Sequence, residues 1–114
     1  MIRLFIFCFV IQSAISAVSV DQFQTLQTSE TFLVDVRTPQ EIEEGFIAGA
    51  LHIPITSKDF EEQIRKLPKD KPIYVYCYSG VRSHRAALQM ETYGFTKIIE
   101  LKGGFKAWQK KTNP

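Results

Sequence analysis

Short apolar runs rich in β-branched and aromatic residues recur at 31–36, 50–53, 73–76 and 97–101, and a segment of helical spacing follows each of them. Strands that alternate with helices imply a parallel, doubly wound sheet covered on both faces. With 114 residues and 45% hydrophobic content, the chain has room for one such domain and no second. After Val18-Ser19-Val20, Asp21 is placed to cap a first helix running to about Gln27, with Phe23 and Leu26 turned to a core. Pro39 opens a short helix through Glu44 that stops at Gly45, and the brief strand Ala50–Ile53 ends at Pro54. From Ser57, a candidate cap, to Leu67, the spacing of Phe60, Ile64 and Leu67 predicts a helix that Pro68 ends. A longer helix is predicted from Arg82 to Tyr93, with Ala86, Ala87, Met90 and Tyr93 inward and Gly94 as its stop. Gly103-Gly104 makes a turn before a last helix, Phe105 to Lys110, and there is no internal repeat or linker.

Strand Ile73–Tyr76 stops at Cys77, and the next helix begins at Arg82, so the thiol sits on a strand-to-helix turn. Ligands of such sheets bind outside the carboxyl ends of the strands, where this turn lies. Amides of the turn and of the first helical residues point at the enclosed atom and carry partial positive charge. They favour thiolate, the reactive form, over thiol. Gly80 gives the loop a conformation closed to residues with a Cβ.

A formal charge of +2, spread among acidic neighbours, suggests neither nucleic acid nor an anionic membrane as partner. Near the start, Arg3 precedes the apolar run Leu4–Ile11, and the small-residue stretch Ser13-Ala14-Ile15-Ser16-Ala17 follows. This is the layout of a secretory signal peptide, far shorter than the ~20 apolar residues of a membrane span. A leader at 1–17 and a domain at 18–114 are therefore expected, with cleavage after Ser16 or Ala17. The alternative is that the segment is a buried first strand. An exported chain, periplasmic or secreted and free of the membrane after cleavage, would retain Cys77 as its one cysteine, either inert and buried or free and reactive.

Four blocks in order resemble the rhodanese family: Asp35-Val36-Arg37 with Glu41, Gly45 to Pro54, Cys77 to Ser83, and Leu101 to Trp108. The resemblance implies a small, mostly parallel five-stranded α/β sheet with helices on both faces, and a sulfurtransferase; a monomer is expected. By that likeness, Cys77 takes the outer sulfur of a donor such as thiosulfate, holds it as a persulfide and passes it to cyanide or a thiol, including a protein thiol. No metal or organic cofactor is implied. The loop residues Tyr78, Ser79, Gly80, Val81 and Ser83 would surround the donor, and Arg82 would hold its oxygens. A structural reading of Arg82, pairing with Glu41 or Asp35, stands beside that one. Ser83 is read as the helix cap, with donation to the donor as the alternative. Asp35, Arg37 and Glu41 are expected to support the loop, His84 to face solvent, His52 to be structural, and Phe105 and Trp108 to pack on the core.

Two positions depart from the family pattern. Phe46 stands where a histidine is usual, which is expected to affect packing only, and Tyr78 follows the cysteine where a basic or polar residue is frequent. Tyr78 leaves Arg82 as the loop's sole cation and suits a larger or less charged donor. Two rival functions share this chemistry or fold. A cysteine phosphatase or arsenate reductase needs five residues between cysteine and arginine, whereas four stand here, a smaller ring suited to one sulfur atom. A non-catalytic binding module would predict loss or burial of the nucleophile.

Overall fold

A computed structural model describes residues 2–6, 12–26 and 31–113. The expected end of the first helix at Gln27 lies outside these residues. Five strands, β1 (Ile15–Val18), β2 (Phe32–Asp35), β3 (Leu51–His52), β4 (Ile73–Tyr76) and β5 (Ile98–Leu101), form one sheet in the order β1-β5-β4-β2-β3, every neighbouring pair parallel. All four residues of β4 and of β5 are buried, as strands covered on both faces require.

Alternation along the strands divides the core in two. Val34, Ile73, Val75 and Ile98 face helices α3 (Phe60–Arg65) and α4 (Val81–Thr92), meeting Phe60, Ile64, Ala86, Ala87 and Met90. Leu33, Tyr74, Tyr76, Ile99 and Leu101 face α1 (Val20–Leu26) and α5 (Gly104–Thr112), meeting Phe23, Phe105 and Trp108. Each large side chain so buried contributes roughly 1.5–3 kcal/mol, which fixes the register because a one-residue slip would exchange the two faces. The short helix α2 (Pro39–Glu43) starts with proline at its first turn and a reciprocal cap, Thr38 with Glu41.

Several local expectations change. Helix α1 begins at Val20 rather than behind an Asp21 cap, and Leu26 is exposed while Phe23 is buried. Ser57 does not cap α3; its hydroxyl bonds the Asp59 carboxylate instead. Phe46 does not pack: it is 54% exposed.

The largest change is β1. The expected boundary between residues 17 and 18 falls inside this strand, whose Ile15, Ser16, Ala17 and Val18 pair with Ile98, Ile99, Glu100 and Leu101. The Glu91 carboxylate accepts from Ala14 N–H at 2.8 Å and from the Ser13 hydroxyl at 3.1 Å, tying the strand's entry to α4. Residues 15–18 thus form an edge strand with none of the four fully buried, while Ile2, Leu4, Phe5 and Ile6 stand outside the fold at 74–93% exposure.

Candidate active site

Cys77 follows the carboxyl end of β4, the middle strand, and the chain turns through Tyr78, Ser79 and Gly80 into α4. Gly80 has φ +111° at the helix N-cap, a conformation that a side chain would strain. That turn lets its own N–H donate to Cys77 Sγ at 3.0 Å. The Ser83 hydroxyl lies 3.5 Å from Sγ on the other side. Burial of the thiol opposes its ionisation, yet the Ser83 hydroxyl and the amides of Ser83, Gly80 and Ser79 more than offset it, so the Cys77 pKa is lowered. This is the cradle expected from the sequence. Cys77 is free but 1% exposed, which is the burial expected of a non-catalytic module; for chemistry to occur a substrate atom must enter the loop to meet it.

The loop is held from outside as well. The first amides of α5 turn toward it: Phe105 N–H donates to the Cys77 carbonyl at 2.8 Å and Lys106 N–H to the Tyr78 carbonyl at 3.0 Å. Only a glycine at 104 permits this approach. Its φ is +61°, and a Cβ there would strike the Tyr78 carbonyl and stand 2.6 Å from the Cys77 carbonyl oxygen. From sequence Gly104 is placed in a turn and nothing more, and the Gly-Gly pair before a helix is the signal of this close approach.

Asp35 and Arg37 lie at the end of β2, both almost fully buried. Arg37 Nε donates to Asp35 Oδ1 at 3.0 Å and Nη2 to Oδ2 at 2.8 Å. Nη2 also donates to the Gly45 carbonyl at 2.7 Å, and the guanidinium lies 4.1 Å from the centre of the Phe105 ring. Asp35 and Arg37 thereby position the root of α5, and α5 holds the Cys77 loop. The buried Tyr76 hydroxyl accepts from Ile47 N–H at 3.0 Å in the same layer. His52 Nε2 meets the Arg37 carbonyl at 2.7 Å, and Phe105 is buried while Trp108 packs at the edge of its cluster.

Arg82 is engaged by Glu41: Nη1 donates to Oε1 at 2.6 Å and Nη2 to Oε2 at 2.8 Å. The structural reading of Arg82 therefore describes its resting partner, and an anion must compete with a carboxylate for the guanidinium. Ser83 is not the cap of α4. The helix begins one residue earlier than expected, with Gly80 at the N-cap, and the Ser83 hydroxyl donates to the Gly80 carbonyl at 3.2 Å from inside the first turn. His84 is 58% exposed but not free, since Nδ1 lies 2.8 Å from Glu100 Oε2. Tyr78 and Val81 are 43% and 68% exposed, forming an apolar rim. A cleft of about 220 Å³ beside the loop is lined by Arg37, Glu41, Glu44, Tyr78, Phe105 and Gln109.

A parallel sheet with a buried cysteine cradled by amides at the carboxyl end of its middle strand defines a class of cysteine-nucleophile α/β domains. Within that class the family is shown by comparison: the family model for the rhodanese-like domain matches residues 19–111, and the chain belongs to the rhodanese-like family. It is 40% identical over 120 residues to the uncharacterized protein YqhL of Bacillus subtilis (strain 168), covering 97% of this chain and 94% of that protein. It is 36% identical over 87 residues to a sulfurtransferase of Allochromatium vinosum, covering 76% and 79%. Among solved structures, a rhodanese-related protein from Thermoplasma volcanium superposes with a TM-score of 0.72 at 28% identity, over 86% of this chain and 94% of that one.

Proposed function

We propose that the protein is a rhodanese-type sulfurtransferase whose Cys77 carries the transferred sulfur as a persulfide. The observation that carries this reading is the amide and hydroxyl cradle around the buried Sγ, which lowers the thiol pKa. In the first half-reaction the Cys77 thiolate attacks the outer sulfur of thiosulfate. The donor's S–S bond breaks, its electron pair leaves with sulfite, and a persulfide anion stays on Cys77. In the second half-reaction an acceptor, cyanide or a thiolate, attacks the terminal sulfur and Cys77 departs as thiolate. Each half is a displacement at sulfur, so no metal or organic cofactor enters the cycle and ping-pong kinetics follow. Loop amides stabilise the anion in both states without a dedicated base.

Relatives named as sulfurtransferases support the reaction class. A thiosulfate sulfurtransferase, GlpE of Coxiella burnetii, is 33% identical over 89 residues and supports thiosulfate as donor. The apolar rim of Tyr78 and Val81 favours a thiol acceptor, free or protein-borne, in the second half. A phosphoryl group fits less well, because only four residues close the loop between Cys77 and Arg82.

Persulfide capture tests the reading. Purified protein mixed with thiosulfate gains the mass of one sulfur on Cys77 and loses it on addition of cyanide, while Cys77→Ser does neither. Wild type that stays unmodified but hydrolyses a phosphate ester overturns the proposal.

Export is the second part of the reading and rests on the apolar N-terminal segment. N-terminal sequencing of protein recovered from periplasm or medium is expected to show a start no later than Ile15, because a later start cuts into β1. Recovery from the cytoplasm with Met1 in place overturns it.

A further inference from the structure

Glu100 is a carboxylate in the middle of an otherwise apolar buried strand, 6% exposed, and neither the fold nor the sulfur chemistry above gives it a task. It shares a sheet face with Val75 and Ile98, the face on which Cys77 also lies. From the neighbouring strands, Ala17 and Val75 flank it in register and carry no charge. From α4 it meets two polar groups. Its Oε1 accepts from the Ser83 hydroxyl at 3.4 Å, and its Oε2 lies 2.8 Å from His84 Nδ1.

Ser83 is fully buried and has one proton to give. Three acceptors surround it: the Gly80 carbonyl at 3.2 Å, Glu100 Oε1 at 3.4 Å, and Cys77 Sγ at 3.5 Å when the sulfur is ionised. A proton directed to Glu100 is one withheld from the thiolate. It leaves a hydroxyl lone pair facing the sulfur, which suits the thiol.

We propose that Glu100 is a positioning residue for Cys77: its carboxylate, tethered by His84, competes with the thiolate for the single Ser83 proton and keeps the nucleophile more basic than the loop amides alone would make it. Arg82 on α4, whose charge acts on the thiol, is held by Glu41, and the Asp35 carboxylate at the end of β2 is held by Arg37. Glu100 and Ser83 form the adjustable part of the site. A more basic thiolate attacks sulfane sulfur faster once formed, at the cost of a smaller ionised fraction.

This inference rests on Cys77 being the nucleophile, and its test needs no sulfur donor. The rate of Cys77 alkylation by iodoacetamide is measured against pH in wild type, Glu100→Gln, Ser83→Ala and the double variant, with thermal melting to confirm that each is folded. Glu100→Gln keeps the volume and offers a weaker acceptor, so its midpoint should move to lower pH by about half a unit to one unit. Ser83→Ala should move it to higher pH. In the Ser83→Ala background, the shift caused by Glu100→Gln should fall to less than half, because the contested proton is gone. If Glu100→Gln does not fold, Glu100→Met fills the site without a charge and asks the same question.

An unmoved midpoint in folded Glu100→Gln overturns the proposal. So does an equal shift with and without the Ser83 hydroxyl, which would make Glu100 a through-space charge only. A wild type that forms the persulfide yet shows either result loses the Glu100 assignment alone. A Cys77 that resists both iodoacetamide and thiosulfate overturns the sulfur-transfer reading and this inference with it.

Discussion

The guanidinium of Arg82 and the carboxylate of Glu41 meet through two charge-assisted hydrogen bonds, at 2.6 and 2.8 Å, joining the first turn of α4 to the first turn of α2. The pair braces the back of the cysteine loop and occupies the group best suited to hold a donor's oxygens. Glu41→Gln should therefore release Arg82 to the donor. The KM for thiosulfate is expected to fall by about fivefold, the factor that roughly 1 kcal/mol provides, while the melting temperature drops. Arg82→Ala should raise that KM by more than its loss of stability explains. Steady-state kinetics beside thermal melts decide it, and an unchanged KM in Glu41→Gln leaves Arg82 with a purely bracing role.

The same pair sets an acid limit. The Arg82 guanidinium, with the Thr38 cap, outweighs partial burial and holds the Glu41 pKa at about 2, below its ordinary 4.5. A depressed carboxylate stabilises the fold fully above the unfolded value and loses that contribution as pH falls through the folded one. Glu41 thus helps at neutral pH and ceases to help between about pH 4.5 and about 2. Melting curves across that window should show wild type converging on Glu41→Gln, and a gap of constant size would remove the pair from the acid response.

Gly104→Ala should damage the site more than its distance in sequence from Cys77 suggests. The new Cβ meets the Tyr78 carbonyl and an unfavourable φ, so the amides of Phe105 and Lys106 must back away from the loop. A loss of roughly 1–3 kcal/mol in denaturant melts is expected. Alkylation of Cys77 at neutral pH should slow as the loop loosens. Full retention of both would show that α5 does not hold the loop.

A chain beginning at Val18 lacks three of the four residues of β1 and bares the edge of β5. Compared with a chain beginning at Gln12, its melting temperature should be lower by at least about 5 °C, the effect of roughly 1 kcal/mol in a domain of this size. Equal melting temperatures would make β1 an accessory to the sheet.

Much of this site was legible because its determinants are local. Tyr76, Cys77 and Gly80 lie within one turn, so strand end, thiol and permissive glycine could be read together. Asp35 and Arg37 stand two residues apart, so their joint role in supporting the loop could be read together as well. Strand β1 was not legible: Ile15-Ser16-Ala17-Val18 fits the small-residue pattern of a leader's end, and its strand form depends on pairing with the distant β5. Glu100 carries a signal of its own, a charge inside the buried run Ile98–Leu101, where parallel strands are usually apolar throughout.

The amino-acid order alone determined the alternation of strands and helices and the seat of Cys77 on a turn, because apolar period, proline and glycine act over a few residues. Tertiary structure decided what surrounds that sulfur. Arg82 lies 41 residues from Glu41, Ser83 lies 17 from Glu100, and the α5 amides reach the loop across the end of the sheet. Such contacts depend on which helix packs over which strand end, and local periodicity does not specify the partner.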